Sequence, residues 1–263
     1  MTIRRSFGIP FFTAIAAAIS SLAGCSGTSG SDGPAATARS GPPAPTGSGV
    51  IAGVVKFDGP PPPREPIRVG ADPACNAKHA ADPPLSEDIV VNLDGTLRDV
   101  IVHVTVGLPA GSYPATTSPV VLDQDGCRYR PHVVTLAAGQ PLEVRNSDDT
   151  IHNINGQGKQ NQPFNFSMIS NRVPPRTQTF AKAEMPPFKI KCDVHPWMMA
   201  WCAVFDHPYH GVTGADGRFA LAGLPDGTYT VTAWHRELGT REATVTVSGA
   251  TTATATFTFA AKK

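Results

Sequence analysis

Strict alternation of apolar and polar side chains recurs through much of this 263-residue chain, and that two-residue period is the one demanded by half-buried strands. Residues 97–106 (LRDVIVHVTV), 227–235 (GTYTVTAWH) and 252–259 (TATATFTF) all carry it. Asp-Gly pairs at Asp94, Asp125, Asp216 and Asp226 punctuate the runs, and such pairs suit tight turns. Helical periodicity is nearly absent. The expected fold class is therefore all-β, and many short strands between Gly and Pro turns favour sandwiches.

Between Cys192 and Met198 the chain reads CDVHPWM, which gathers a thiolate, an imidazole and a thioether in one short loop. Sulfur ligands favour copper in its reduced state and imidazole suits both oxidation states, so the trio points to a mononuclear copper site that cycles one electron. A fourth ligand is expected upstream. Residues 144–153 (VRNSDDTIHN) read as a strand, a turn of Asn, Ser and Asp, and a histidine opening the next strand. His152, Cys192 and His195 would form a trigonal plane, with Met198 as the long axial ligand. Met199 is a second axial candidate, but neighbouring strand residues point to opposite faces and spacing favours Met198. The competing reading puts Cys192 in a disulfide and makes Met198 core filler.

The segment from Asn146 to Asn153, the loop Cys192-x-x-His195-x-x-Met198 and the leading strands of residues 129–146 together resemble the cupredoxin family of blue copper electron carriers, with the short ligand loop of amicyanin. The resemblance covers roughly residues 120–206. It implies a Greek-key sandwich, one type 1 copper ion, and a hydrogen bond from the Asn153 N–H to the Cys192 sulfur, which would tune the metal's potential. It also implies an exposed edge of His195 through which electrons pass, with Pro196 and Trp197 completing an apolar docking patch. Amicyanin and plastocyanin carry proline two residues after the cysteine. Here Val194 keeps its N–H, so Val194 is expected to donate a second bond to Cys192.

Residues 212–235 (VTGADGRFALAGLPDGTYTVTAWH) resemble the carboxypeptidase regulatory-like, or transthyretin-like, sandwich. Matching strands, residues 49–59 and 100–106, lie upstream of the copper region. The economical reading is a discontinuous sandwich of 49–111 plus 208–263 with a cupredoxin domain, 112–207, inserted; two domains in series is the alternative. Residues 60–86 are rich in Pro and poor in strand signals, and read as an irregular excursion. Within it, Cys75-x-x-x-His79 lacks the haem-attachment spacing. A disulfide suits an exported chain better. Of Cys75, Cys127 and Cys202, the pair Cys75 with Cys127 is favoured, because Cys202 sits in an apolar strand where a free buried thiol is ordinary. His103, His132 and His235 read as structural or exposed. His207 and His210 lack the third ligand of a closed site.

Arg4 and Arg5 precede an apolar stretch ending Leu22-Ala23-Gly24-Cys25, which resembles a bacterial lipoprotein signal, residues 1–24. That implies cleavage before Cys25, acylation of Cys25, and a stable membrane anchor. Ser26 suggests the outer membrane, facing periplasm or cell surface. Residues 25–48 are Gly, Ser, Thr, Ala and Pro, too poor in large apolar groups to fold, and read as a tether. Without the signal's two arginines the chain carries 20 basic and 21 acidic side chains, and no basic run suits nucleic acid. The expected partner is a redox protein of the envelope, a cytochrome or an oxidoreductase. The function expected is single-electron transfer rather than enzymic turnover, since no hydrolytic triad is visible. Two alternatives stay open: copper handling without electron transfer, and a surface interaction module with structural copper.

Overall fold

The computed structural model describes residues 46–261 apart from residue 115; the signal segment, Cys25 and nearly all of the tether lie outside the described residues. Before residue 112 come β1 (Gly49–Asp58), α1 (Pro73–His79) and β2 (Ile101–Val106). The middle of the chain holds β3 (Val120–Gln124), β4 (Tyr129–Arg130), β5 (Val133–Ala137), β6 (Pro141–Asn146) and β7 (His152–Gly156). It continues with β8 (Phe164–Met168), β9 (Arg176–Thr179), β10 (Glu184–Lys191) and β11 (Met199–Phe205). The end supplies β12 (His210–Val212), β13 (Arg218–Leu224), β14 (Gly227–His235), β15 (Gly239–Val247) and β16 (Thr252–Ala260). Among the described residues the fold is all-β but for α1.

One sandwich is made from the two ends of the described chain. β1 lies between β13, antiparallel, and β16, parallel, in a three-stranded sheet. Facing it is the sheet β12-β2-β14-β15. The alternation in β16 turns Ala255, Phe257 and Phe259 inward, where they meet Ile51, Val55, Leu221, Val102 and Val231 in one core. Each large apolar side chain so buried contributes roughly 1.5–3 kcal/mol. Gly53 is forced by this packing: a Cβ there would collide with the Ala255 carbonyl of the adjoining strand.

The second sandwich comprises the sheets β4-β3-β6-β9 and β5-β11-β10-β7-β8, closed over Leu122, Leu142, Val144, Ile154, Phe180 and Ile190. Its β3–β4 turn is built for a special purpose. Asp125 N–H bonds the Arg128 carbonyl at 3.0 Å, and both central residues, Gly126 (φ 63°) and Cys127 (φ 53°), are left-handed. That is the geometry of a type I′ turn. Glycine adopts it freely, whereas Cys127 does so against a steric cost of roughly 1–2 kcal/mol.

Residues 60–86 contain a helix that their Pro-rich composition concealed. Asp72 caps α1, its side chain accepting the Cys75 N–H at 2.9 Å, and Pro73 follows at the first turn, where no N–H is needed. Seven residues are too few to show a 3.6-residue period.

The two sandwiches meet at a small apolar seam of Ile101, Val133, Ala203 and Phe205. His103 and His210, opposite each other on β2 and β12, pack against Phe205, the first tilted and the second stacked, with ring centroids 4.7 and 4.6 Å away. Neither Nδ1 has a hydrogen-bond partner. Burial, helped by the neighbouring His207, holds their pKa values down at about 4 and about 3, and burial likewise lowers His235 to about 4. A depressed histidine pKa means that the unfolded chain binds the proton first, so stability is present above pH ~6.5 and is lost as pH falls toward 4. The loss is on the order of 3 kcal/mol for a residue such as His103. Urea unfolding at pH 7, 5.5 and 4.5 should show a falling midpoint; a constant midpoint would contradict this burial.

Candidate metal centre

β10 and β11 run antiparallel, with Lys191 opposite Met199, so residues 192–198 form the loop that joins them. The loop closes on itself: Cys192 N–H bonds the Met198 carbonyl at 3.2 Å and Met198 N–H bonds the His195 carbonyl at 2.9 Å. β7 pairs with β10 through Gly156–Ile190 and Asn155–Lys191, which sets His152, at the start of β7, beside the loop. The ligand atoms of His152, Cys192 and His195 all lie within 4.8 Å of one another. The two histidine Nδ1 atoms are 2.9 Å apart, and His195 Nδ1 is 3.8 Å from the Cys192 sulfur. All three residues are buried, and Cys192 is a free thiol.

The far nitrogens of both histidines face carboxylates. His152 Nε2 lies 2.8 Å from Asp148 Oδ2, and His195 Nε2 lies 3.2 Å from Asp72 Oδ2. An acceptor at each Nε2 calls for an N–H there, which leaves both Nδ1 lone pairs directed at each other in a buried site. Two lone pairs at that distance repel unless a proton or a metal cation lies between them. The donor set of two imidazoles and one thiol therefore fits a metal ion, and a ligand set of this composition suits copper.

The thiol is prepared for ionisation. Burial raises its pKa, but hydrogen bonding to His152 and the backbone amides of Asn153, His195 and Val194 outweigh this and bring Cys192 below its ordinary value. The Asn153 N–H donates to the sulfur at 3.3 Å. The His195 N–H donates to it as well, also at 3.3 Å, and the Val194 amide adds the smallest of the backbone contributions. Turning the loop back at His195 aims that amide at the sulfur. His152 is raised because Asp148 and Cys192 outweigh its burial, whereas burial prevails at His195 and lowers it.

Asp148 organises this region. It is fully buried, and its Oδ1 accepts Gly126 N–H at 3.0 Å and Lys78 Nζ at 2.5 Å. Its Oδ2 accepts Cys127 N–H at 2.7 Å besides facing His152. Burial would raise its pKa; those donors override burial and hold the carboxyl well below the usual range. The left-handed turn at Gly126 and Cys127 is what points two successive amides at it.

The expectation of an exposed His195 edge is corrected: His195 is 1% exposed. α1 lies over it, with Asp72 and the Cys75 sulfur, 3.9 Å from Nε2, against the ring. Cys75 is joined to Cys127 in a disulfide, His79 Nε2 lies 2.7 Å from the Gly126 carbonyl, and Cys202 is a buried free thiol whose pKa burial pushes up. Pro196 is exposed and Trp197 half-buried, its indole N–H bonded to the Cys127 carbonyl at 3.1 Å and its ring 5.0 Å from that of His195. Met198 is buried in the core of this sandwich, while the Met199 sulfur meets Arg236 at 3.5 Å. Asp72 and Asp148 were not singled out from sequence. An Asp-Pro capping pair and an Asp four residues before the ligand histidine were the available signals.

Residues 205–260 match the model of the carboxypeptidase regulatory-like domain. They contain β12 to β16. No curated protein matches the chain. Among solved structures, a copper-containing nitrite reductase from Thermus scotoductus SA-01 is 22% identical with a TM-score of 0.30, over 39% of this chain and 25% of its own. This chain thus spans a quarter of that protein. A Cu(I) amicyanin variant is 17% identical over 33% of this chain and 81% of its own, with a TM-score of 0.28. An oxidised amicyanin variant is 18% identical over the same shares, with a TM-score of 0.29. Among the described residues no helix is long and apolar enough to cross a membrane.

Proposed function

We propose that this chain holds one copper ion through His152, Cys192 and His195, with Met198 as the weak fourth ligand, and carries single electrons between redox partners. The observation behind this reading is the buried convergence of two imidazole Nδ1 atoms and one thiol whose far-side hydrogen bonds leave their donor pairs facing inward. Copper bound there would supply a one-electron couple. The chain's own contribution is to keep the donors fixed: Asp148 and Asp72 orient the imidazoles, the Asn153 and His195 amides draw charge from the sulfur, and burial excludes water.

With the His195 edge covered, a partner protein would approach over the exposed Pro196 and the half-buried Trp197. The same reading treats 49–111 with 208–263 as one discontinuous sandwich carrying the copper domain 112–207, a division supported by the pairing of β1 with β13 and β16. Cys25 would tie the whole to an envelope membrane. Copper titration of the mature protein is the test. One equivalent should produce intense visible absorption and a reversible midpoint potential, and Cys192→Ser should abolish that absorption. A colourless one-to-one complex, or colour retained in Cys192→Ser, would refute the assignment.

A further inference from the structure

We infer that Asp72 is a positioning residue for His195, delivered by α1 from a part of the chain outside the strands that carry the other ligands. The inference deepens the copper reading above and rests on it for the ion's identity. Asp72 lies 123 residues before His195, and its two oxygens have separate duties. Oδ1 accepts the Cys75 N–H at 2.9 Å and so begins the helix, while Oδ2 faces His195 Nε2 at 3.2 Å. The capping bond therefore fixes the direction of the oxygen that meets the ligand.

The helix is itself held at three places. The Cys75–Cys127 disulfide joins it to the β3–β4 turn, Lys78 reaches Asp148, and His79 meets the Gly126 carbonyl. Asp72 is in consequence not a surface carboxylate free to swing away; its side chain is 22% exposed. A fixed acceptor at Nε2 selects the tautomer with hydrogen there and leaves Nδ1 bare toward Cys192 and His152. Without it, hydrogen can occupy Nδ1 and close the site to metal. The Cys75 sulfur on one side and the Trp197 ring on another limit the ring's rotation. Asp148 does the same for His152, so each ligand histidine has its own carboxylate, on either side of one disulfide.

The test uses the full mature chain with Asp72→Asn and Asp72→Ala. Asparagine caps helices about as well as aspartate, so the first variant keeps α1 while removing the charge. In metal-free protein, nitrogen NMR of the imidazoles should show His195 wholly in the Nε2–H form in the parent and as a tautomer mixture in Asp72→Ala, with Asp72→Asn between them. Copper release to excess chelator should quicken about tenfold or more in Asp72→Ala. An unchanged His195 tautomer in Asp72→Ala would overturn the inference, even with faster release. The NMR result also decides it in a protein that takes up no copper, an outcome that would refute the copper reading alone.

Discussion

Replacing Cys75 and Cys127 together by alanine is expected to lower the unfolding free energy by about 4 kcal/mol, the loop-closure entropy of a cross-link across a sequence separation of 52. The bond joins α1 to the β3–β4 turn, and both cysteines are fully buried, so the loss of packing adds to the loss of constraint. The remaining ties, Lys78 to Asp148, His79 to Gly126 and Asp72 to His195, are single polar contacts made by partly exposed side chains. They are too weak to hold seven residues of helix alone. Urea unfolding of the oxidised parent and the double variant would measure the difference. A loss below about 1 kcal/mol would mean that α1 is held by other contacts.

Asp148→Ala should cost roughly 3–5 kcal/mol, for a different reason. The substitution removes a buried charge and strands its partners: the His152 Nε2–H and the amides of Gly126 and Cys127 all lose their acceptor at once, while the half-exposed Lys78 ammonium turns to solvent. The two amides sit in a turn already strained at Cys127, so the turn loses the interaction that offsets its left-handed backbone. The loss should persist in metal-free protein, because the partners are protein groups. A change smaller than 1 kcal/mol in the metal-free unfolding curve would show that water replaces the carboxylate at little cost.

The strands and the candidate loop could be read because their signals are local. Alternation in residues 252–259 marks β16 without help from elsewhere, and Cys192, His195 and Met198 lie within one hairpin loop. The cover over the site, which rests on distant residues, was not legible. Asp72 meets His195 across 123 residues, and nothing in either neighbourhood foretells that α1 folds over the imidazole. The same concealment explains the wrongly expected exposure of His195, since the resemblance concerns only the copper segment and the cover comes from upstream. The His195 amide was not legible as a donor to the Cys192 sulfur, because a missing proline tells that the Val194 amide exists but not which way the loop aims its neighbour. Of the four Asp-Gly pairs singled out in the sequence, those at Gly95, Gly126 and Gly217 take positive φ, as glycine turns require, whereas Gly227 opens β14 and the bend falls at Asp226.

The most direct measurement is X-ray absorption at the copper edge of the mature protein loaded with one equivalent of copper. A single short copper–sulfur distance with two imidazole nitrogens is expected, and loss of that sulfur shell in Cys192→Ser. A copper shell of nitrogen and oxygen alone, or a sulfur shell that survives Cys192→Ser, would contradict the assignment.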